Sequence, residues 1–125
     1  MKEMQKLFDA LQQSRKKCPW SKEQELQEHF KELEREIEEA KEALDKKDYA
    51  NLKEELGDVL MDLVFISIIA EEEKLFSLQD MMESANTKLR RRKPWVFGDE
   101  KITTKQEAIK RWNEIKSEEK AKKAT

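Results

Sequence analysis

Two glycines and two prolines are all that this chain has for breaking 125 residues of backbone. Turns must therefore be few and the elements between them long. Those elements are rich in Glu, Lys, Leu and Ala, residues that lose little on entering a helix. An all-α fold is expected. Charged residues reach 43% against 37% hydrophobic, which excludes a membrane protein. Disorder is not implied, because the apolar residues recur periodically instead of being scattered.

Five helices are expected. The first spans Lys2 to Arg15, with Met4, Leu7, Phe8 and Leu11 at helical spacing. Cys18-Pro19-Trp20 interrupts it, since proline disfavours helix in the residue before it. Ser21 then fits an N-cap, with Gln24 completing a capping box. The second helix spans Lys22 to Asp45 and carries one apolar stripe: Leu26, Phe30, Leu33, Ile37, Ala40 and Leu44. Lys46-Lys47-Asp48 breaks the chain, and Asp48 can cap the next helix. The third helix spans Tyr49 to Glu73. Val59 to Ala70 is apolar nearly all round, so it belongs at the centre of the fold. That stretch is too short to cross a bilayer and contains Asp62.

A fourth helix spans Leu78 to Arg91, with Ser77 as N-cap and Met81, Met82, Ala85 and Leu89 inward. Trp95 to Ile102 reads as a loop around Gly98. A last helix spans Thr104 to Lys120 on a sparse stripe of Ala108, Ile109, Trp112 and Ile115. Residues 1–125 read as one domain, with 1–17 as an N-terminal helix and 117–125 as a frayed tail. Short connections between long helices favour an up-and-down bundle of four to five helices, oligomerising through helix packing.

Net charge is -2, from 26 basic and 28 acidic residues, so no global basic field attracts nucleic acid. A single cysteine excludes an internal disulfide and fits a reducing compartment. The first residues, MKEMQKLFDALQQSRKK, lack the apolar core of a secretory signal. A cytoplasmic protein with no membrane partner is expected.

Two acidic motifs stand out: Glu36-Ile37-Glu38-Glu39 and Glu55-Leu56-Gly57-Asp58. Residues three apart share one side of a helix, so each motif presents two carboxylates in one direction. Four can converge if the second and third helices pack antiparallel. Hard cations take oxygen ligands of this kind. Glu55, Asp58 and Asp62 share one narrow face at about 100° per residue, in line with Phe65, Ile66 and Ile69. Like charges forced together on an inward face are costly unless a cation joins them. Gly57 sits mid-helix at a cost of about 1 kcal/mol relative to alanine, which suggests close approach of another backbone or a ligand. Glu36 and Glu39 are less distinctive. Glu25, Glu28, Glu32, Glu34, Glu38 and Glu42 share their helix, and spacing alone reads the pair as surface residues as readily as ligands.

The motifs then form an ordered series. Cys18-Pro19-Trp20 and Lys22-Glu23-Gln24 precede E-x-x-E, and Glu55-Leu56-Gly57-Asp58 comes after it. Next come KLRRRKPWVFGD at Lys88 to Asp99 and WNEIK at Trp112 to Lys116. This series resembles the MazG nucleoside triphosphate pyrophosphohydrolases, over nearly the whole chain after Arg15. The resemblance implies an all-α, oligomeric, Mg²⁺-dependent enzyme, with Mn²⁺ as a substitute. It implies hydrolysis of nucleoside triphosphates, standard or not, to monophosphate and pyrophosphate. The family's metal motif matches Glu36, Glu39, Glu55 and Asp58, with fifteen residues between the pairs. Ungapped spacing from Cys-Pro-Trp selects Glu36/Glu39 over Glu39/Glu42. Lys88 and Arg92 match a phosphate-contacting pair, and Trp112 and Lys116 a second pair for base or phosphate. A homodimer or a dimer of dimers is implied. The chain departs from the family at Arg35, Ser21 and Lys93-Pro94-Trp95, which bear on substrate preference and leave the metal motif intact.

Blander readings apply to the remaining residues. Arg90 to Lys93 is too short and isolated for a nucleic-acid patch. His29 reads as a helix-surface or packing residue and Cys18 as a buried small hydrophobe. Asp62 reads as an auxiliary ligand or an acceptor behind the ligands. Trp20 and Trp95 fit core packing or base stacking equally. The alternatives to an enzyme are a helical interaction module without metal and a nucleotide-binding regulator without turnover.

Overall fold

The computed structural model describes residues 1–124. They form seven helices and no strand: α1 (Lys2–Lys17), α2 (Pro19–Glu23), α3 (Leu26–Asp45), α4 (Tyr49–Glu72), α5 (Leu78–Arg92), α6 (Pro94–Phe97) and α7 (Lys105–Ala124). The five long helices match the expected five, and the fold is all-α as expected. No helix among the described residues is long and apolar enough to cross a membrane. The chain divides into two compact units, one ending at Leu78 and the other starting at Gln79.

In the first unit α3 and α4 pack along their length. His29 meets Asp62 while Glu36 and Glu39 meet Glu55, so partner numbers fall as the chain rises and the pair is antiparallel. The second half of α4 is the core: Val64, Phe65, Ser67, Ile68, Ile69 and Ala70 are all buried. Asp48 caps α4 as expected, its Oδ1 accepting from the Asn51 N–H at 3.2 Å.

The inward face of α3 differs from the expected stripe. Leu33, Ala40 and Ala43 are buried, but Phe30, Ile37 and Leu44 are about half exposed (52%, 51% and 52%). His29, Glu32, Glu36 and Glu39 take the partly buried positions instead. The helix is turned by about a quarter-turn from its apolar stripe. Small alanines let α4 approach closely, and the larger side chains form a ridge along the flank. Tyr49, Leu56 and Leu60 form a second exposed ridge on α4.

The start of α3 also differs. Ser21 does not begin it; Cys18 caps the short α2, its Sγ accepting from the Ser21 N–H at 3.5 Å. The sulfur is thus a polar cap and not an inert hydrophobe. Gln24 and Glu25 are extended, and α3 starts at Leu26. The physical reason is Arg15. Its guanidinium donates to the carbonyls of Ser21 and Gln24 and pairs with Glu72 at 3.0 Å. Those carbonyls are satisfied outside a helix, so α2 has no need to continue. Ser14 and Ser21 hydroxyls add a 2.9 Å bond across the same corner.

Turns are made almost without glycine. Lys47 and Lys74 adopt left-handed φ of 57° and 61°. At each, the next residue's N–H bonds a carbonyl five residues back, Asp48 to Ala43 and Leu75 to Ala70. Both are Schellman caps with lysine where glycine is usual. The left-handed region costs a side-chain-bearing residue about 1–2 kcal/mol, partly offset by glycine's greater unfolded-state entropy. Lys47→Gly is therefore expected to raise stability by about 0.5–1 kcal/mol, measured from the urea midpoint. An unchanged or lower midpoint would contradict this account of the turn. Gly57 has the opposite character. A methyl group there meets nothing within 4 Å, so the expected close approach is not made within this chain.

In the second unit α5 has no buried residue. Met82, Ala85 and Leu89 are exposed and Met81 only partly covered, against the expected inward face. Ile115 of α7 is buried, and Glu119 of α7 binds Arg91 at 2.6 Å and Arg92 at 2.8 Å on α5. Those hydrogen bonds, Arg92 first, hold the Glu119 carboxyl down at about 2. The start of the loop expected over Trp95 to Ile102 is instead the short α6, while residues 98–102 are non-helical as expected; the Gly98 end of α6 is tight, since a Cβ there would lie 2.9 Å from the Pro94 carbonyl oxygen. The tail expected to fray is helical to Ala124, and Thr125 lies outside the described residues.

Candidate functional site

Glu36 and Glu39 stand one turn apart on α3, and Glu55 faces them from α4. Their carboxylate oxygens lie within 4.8 Å of one another. Three of the four acids matched to the motif thus converge. Asp58, a turn further along α4, is partly buried, lies outside this group of three, and acts on Glu36 and Glu55 through its charge. The half of the motif that spacing left indistinct, Glu36 and Glu39, is turned inward, because the apolar stripe of α3 is not its packing face.

The electrostatics are those of like charges confined together. Burial comes first in pushing the Glu36 carboxyl up to about 7. A hydrogen bond to Glu55 and the charges of Glu39 and Asp58 add to it. Burial likewise raises Glu55. Glu36 Oε2 and Glu55 Oε2 are buried and have no hydrogen-bond partner. Buried polar atoms are almost always satisfied, and exceptions call for a reason. All three groups are oxygen donors, and no ion pair joins a lysine or arginine to any of them among the described residues. A hard divalent cation fits this donor set and removes both the orphaned oxygens and the repulsion.

Asp62 is buried but faces His29 and not the cluster, its Oδ1 3.0 Å from His29 Nε2. Burial raises its carboxyl, and the neighbouring imidazole opposes the rise. His29 packs on Phe65 with ring centroids 4.5 Å apart. A pocket of about 300 Å³ opens here, lined by Trp20, Ser21, His29, Glu36, Asp62 and Phe65 among others. Trp20 is 72% exposed, which excludes the core reading for it. His29, read as a surface or packing residue, is missed by motif reading, and Asp62, read as an auxiliary ligand or an acceptor behind the ligands, is bonded to His29. Their signal was present only as an acid and an imidazole on two faces that pack.

In the second unit, α5 does reach Arg92, so Lys88 and Arg92 share a helix. Lys88 is exposed, whereas Arg92 is bound to Glu119 and lies 5.2 Å over the Trp112 ring. Lys93 approaches the same ring at 5.8 Å. Lys116 is exposed. Lys88, Arg91 and Arg111 line a basic pocket of about 470 Å³ that Glu118 and Glu119 also enter.

Residues 24–97 match the MazG nucleotide pyrophosphohydrolase domain model. The chain is 38% identical over 107 residues to a nucleoside triphosphate pyrophosphohydrolase of Escherichia coli K12, covering 86% of this chain and 41% of that protein. It is 39% identical over 129 residues to a nucleoside triphosphate pyrophosphohydrolase/pyrophosphatase MazG of Thermotoga maritima, covering 98% of this chain and 49% of that protein. The chain thus spans less than half the length of these two curated relatives. A crystal structure of a mazG-related protein from Thermotoga maritima superposes with a TM-score of 0.80 at 36% identity, covering 90% of this chain and 98% of that one.

Proposed function

The chain belongs to the MazG nucleotide pyrophosphohydrolase family, and from that premise we propose that it hydrolyses nucleoside triphosphates to monophosphate and pyrophosphate. The observation that carries this reading is the carboxylate cluster, with Glu36 Oε2 and Glu55 Oε2 buried and unpartnered. Glu36, Glu39, Glu55 and Asp58 are the residues proposed to hold Mg²⁺, or Mn²⁺ in its place. A cation held there would supply charge stabilisation to the phosphoryl oxygens of the triphosphate.

The chain's own residues do the rest. The carboxylates fix the geometry from two rigid helices, and one of the four acids takes the proton of the attacking water. In the second unit, Lys88, Arg92 and Lys116 are the proposed phosphate contacts. Arg92 must exchange its bond to Glu119 for one to phosphate, and the Trp112 ring lies 5.2 Å from its guanidinium.

The exposed ridges of α3 and α4 support a homodimer. Phe30, Ile37 and Leu44 recur every seven residues, the repeat of helices that pack against a second helix pair. An apolar face of this kind on a small chain marks an association surface.

A pyrophosphate-release screen over all NTPs and dNTPs tests the activity, with Mg²⁺, with Mn²⁺ and with chelator. Release that requires the cation is expected, with Glu55→Gln and Asp58→Asn each lowering kcat by about 10²–10³-fold. No release from any triphosphate would overturn the reading. Nucleotide binding without release would favour a regulator instead.

A further inference from the structure

Arg91 and Arg92 are successive residues, so their side chains leave α5 about 100° apart. One carboxylate draws both together. Glu119 Oε2 accepts from Arg91 Nε at 2.6 Å, while Oε1 accepts from Arg92 Nε at 3.2 Å and from Arg92 Nη2 at 2.8 Å. Two guanidiniums share a single negative charge, so positive charge is left in excess at this end of α5. With its carboxyl held down at about 2 by the hydrogen bonds of Arg92 and then Arg91, Glu119 is ionised throughout the neutral range.

This bond occupies what a phosphate group needs. Carboxylate and phosphate are received by the same fork of guanidinium N–H groups. The Nε and Nη2 fork of Arg92 is taken by Glu119, and the Arg92 side chain is only 16% exposed, with the Trp112 ring 5.2 Å from its guanidinium. An anion therefore reaches that fork by displacing Glu119 and not by adding to it. Space for the displacement lies alongside, because Lys88, Arg91 and Glu119 all border the pocket of about 470 Å³.

We propose, on the phosphate-contact reading of Arg92 given above, that Glu119 is an internal competitor for the phosphate site, a built-in anion that keeps Arg91 and Arg92 closed to weakly bound anions. Displacing it costs every incoming anion the same hydrogen bonds. A common penalty leaves strongly bound ligands in place and drops weakly bound ones below occupancy. A triphosphate carries several adjacent charges, enough to engage both guanidiniums and Lys88 together. An isolated phosphate group has fewer contacts to offer against the same loss. After cleavage, the return of Glu119 to the fork favours release of the monophosphate. Glu119 acts through the two arginines and takes no part in phosphoryl transfer.

Calorimetry with inorganic tripolyphosphate and with orthophosphate tests this, in chelator and at fixed ionic strength, so that neither a metal at the carboxylate cluster nor a change in screening contributes. Glu119→Gln keeps the shape of the side chain and removes its charge. It is expected to bind both anions more tightly than wild type, by a similar factor of about tenfold or more. Glu118→Gln removes the same charge one residue away, from a side chain whose ion pair is with Arg111, and is expected to bind both anions as wild type does. In turnover, Glu119→Gln is expected to lower KM for a triphosphate and to strengthen inhibition by the nucleoside monophosphate, without raising kcat. Equal or weaker anion binding by Glu119→Gln, an equal gain in Glu118→Gln, or no binding to any of the three proteins would overturn the proposal and leave the pyrophosphohydrolase reading standing. If no triphosphate is hydrolysed, that broader reading fails, and the metal-free binding still decides the role of Glu119. Should Glu119→Gln fail to fold, the wild-type Nε–H resonances of Arg91 and Arg92, identified through Arg91→Lys and Arg92→Lys, take its place. They are expected to shift as tripolyphosphate is added, and resonances that stay in place would overturn the proposal.

Discussion

Glu36→Gln is expected to lower pyrophosphate release by about 10²–10³-fold and, in the same molecule, to make the metal-free protein more stable at neutral pH. The two effects share one cause. Burial, with Glu55, Glu39 and Asp58 crowded around it, raises the Glu36 carboxyl to about 7 from an ordinary value of 4.5. Between those values the folded protein holds a proton that the unfolded chain has released. The contribution of Glu36 is thus fully present below the unfolded value and is lost as pH rises through about 7. Glu55 is shifted in the same direction. Metal-free wild-type protein should therefore lose melting temperature between about pH 5 and pH 8, and Mg²⁺ should restore it by binding the folded state alone. Glutamine keeps the shape and removes the charge, so Glu36→Gln should show a flatter pH profile and a weaker Mg²⁺ response. A variant less stable than wild type at pH 8 without metal, or one that Mg²⁺ stabilises equally, would remove Glu36 from the cluster's electrostatics.

Ile37→Lys is expected to turn a dimer into a folded monomer. Ile37 lies at the middle of the α3 ridge, between Phe30 and Leu44, and is half exposed. Within one chain a lysine there reaches solvent, so helix content should not change. In a two-fold interface the residue occurs twice, and each copy would carry an ammonium group into a desolvated centre. Truncating or charging a central anchor costs about 2 kcal/mol or more per site, so association should weaken by at least about 10³-fold over the pair. Light scattering coupled to size exclusion reads the mass directly. A wild-type chain that elutes as a monomer would refute the homodimer. A wild-type dimer that survives Ile37→Lys would move the interface off this ridge.

The same ridge explains what the sequence disclosed and what it withheld. Helix boundaries were legible because proline, capping aspartate and apolar period act locally. Asp48 and the Val59–Ala70 core segment are where they were expected. The orientation of α3 was not legible. Apolar period sums every surface a helix covers, and the stripe through Phe30, Ile37 and Leu44 reports a face that α4 does not fill. The true contact face carries His29, Glu32, Glu36 and Glu39, polar residues that count against burial in any periodic reading. Glu36 and Glu39 consequently needed the family motif to single them out, whereas Glu55 stood on a face already leading to Phe65 and Ile69. The corner at residues 18–25 was misread for a different reason. Ser21 and Gln24 satisfy a local capping pattern, but Arg15, distant along the chain from its Glu72 partner, claims their carbonyls.

That arginine clasp divides the first unit by how each part is anchored. The acids are mounted on two long helices whose register is fixed over many turns. The wall that holds Trp20, Ser21 and Gln24 is mounted on a short corner closed by the Arg15 guanidinium and the Ser14–Ser21 hydroxyl bond. Changes at the corner can reshape what the pocket admits while the spacing of the acids stays the same.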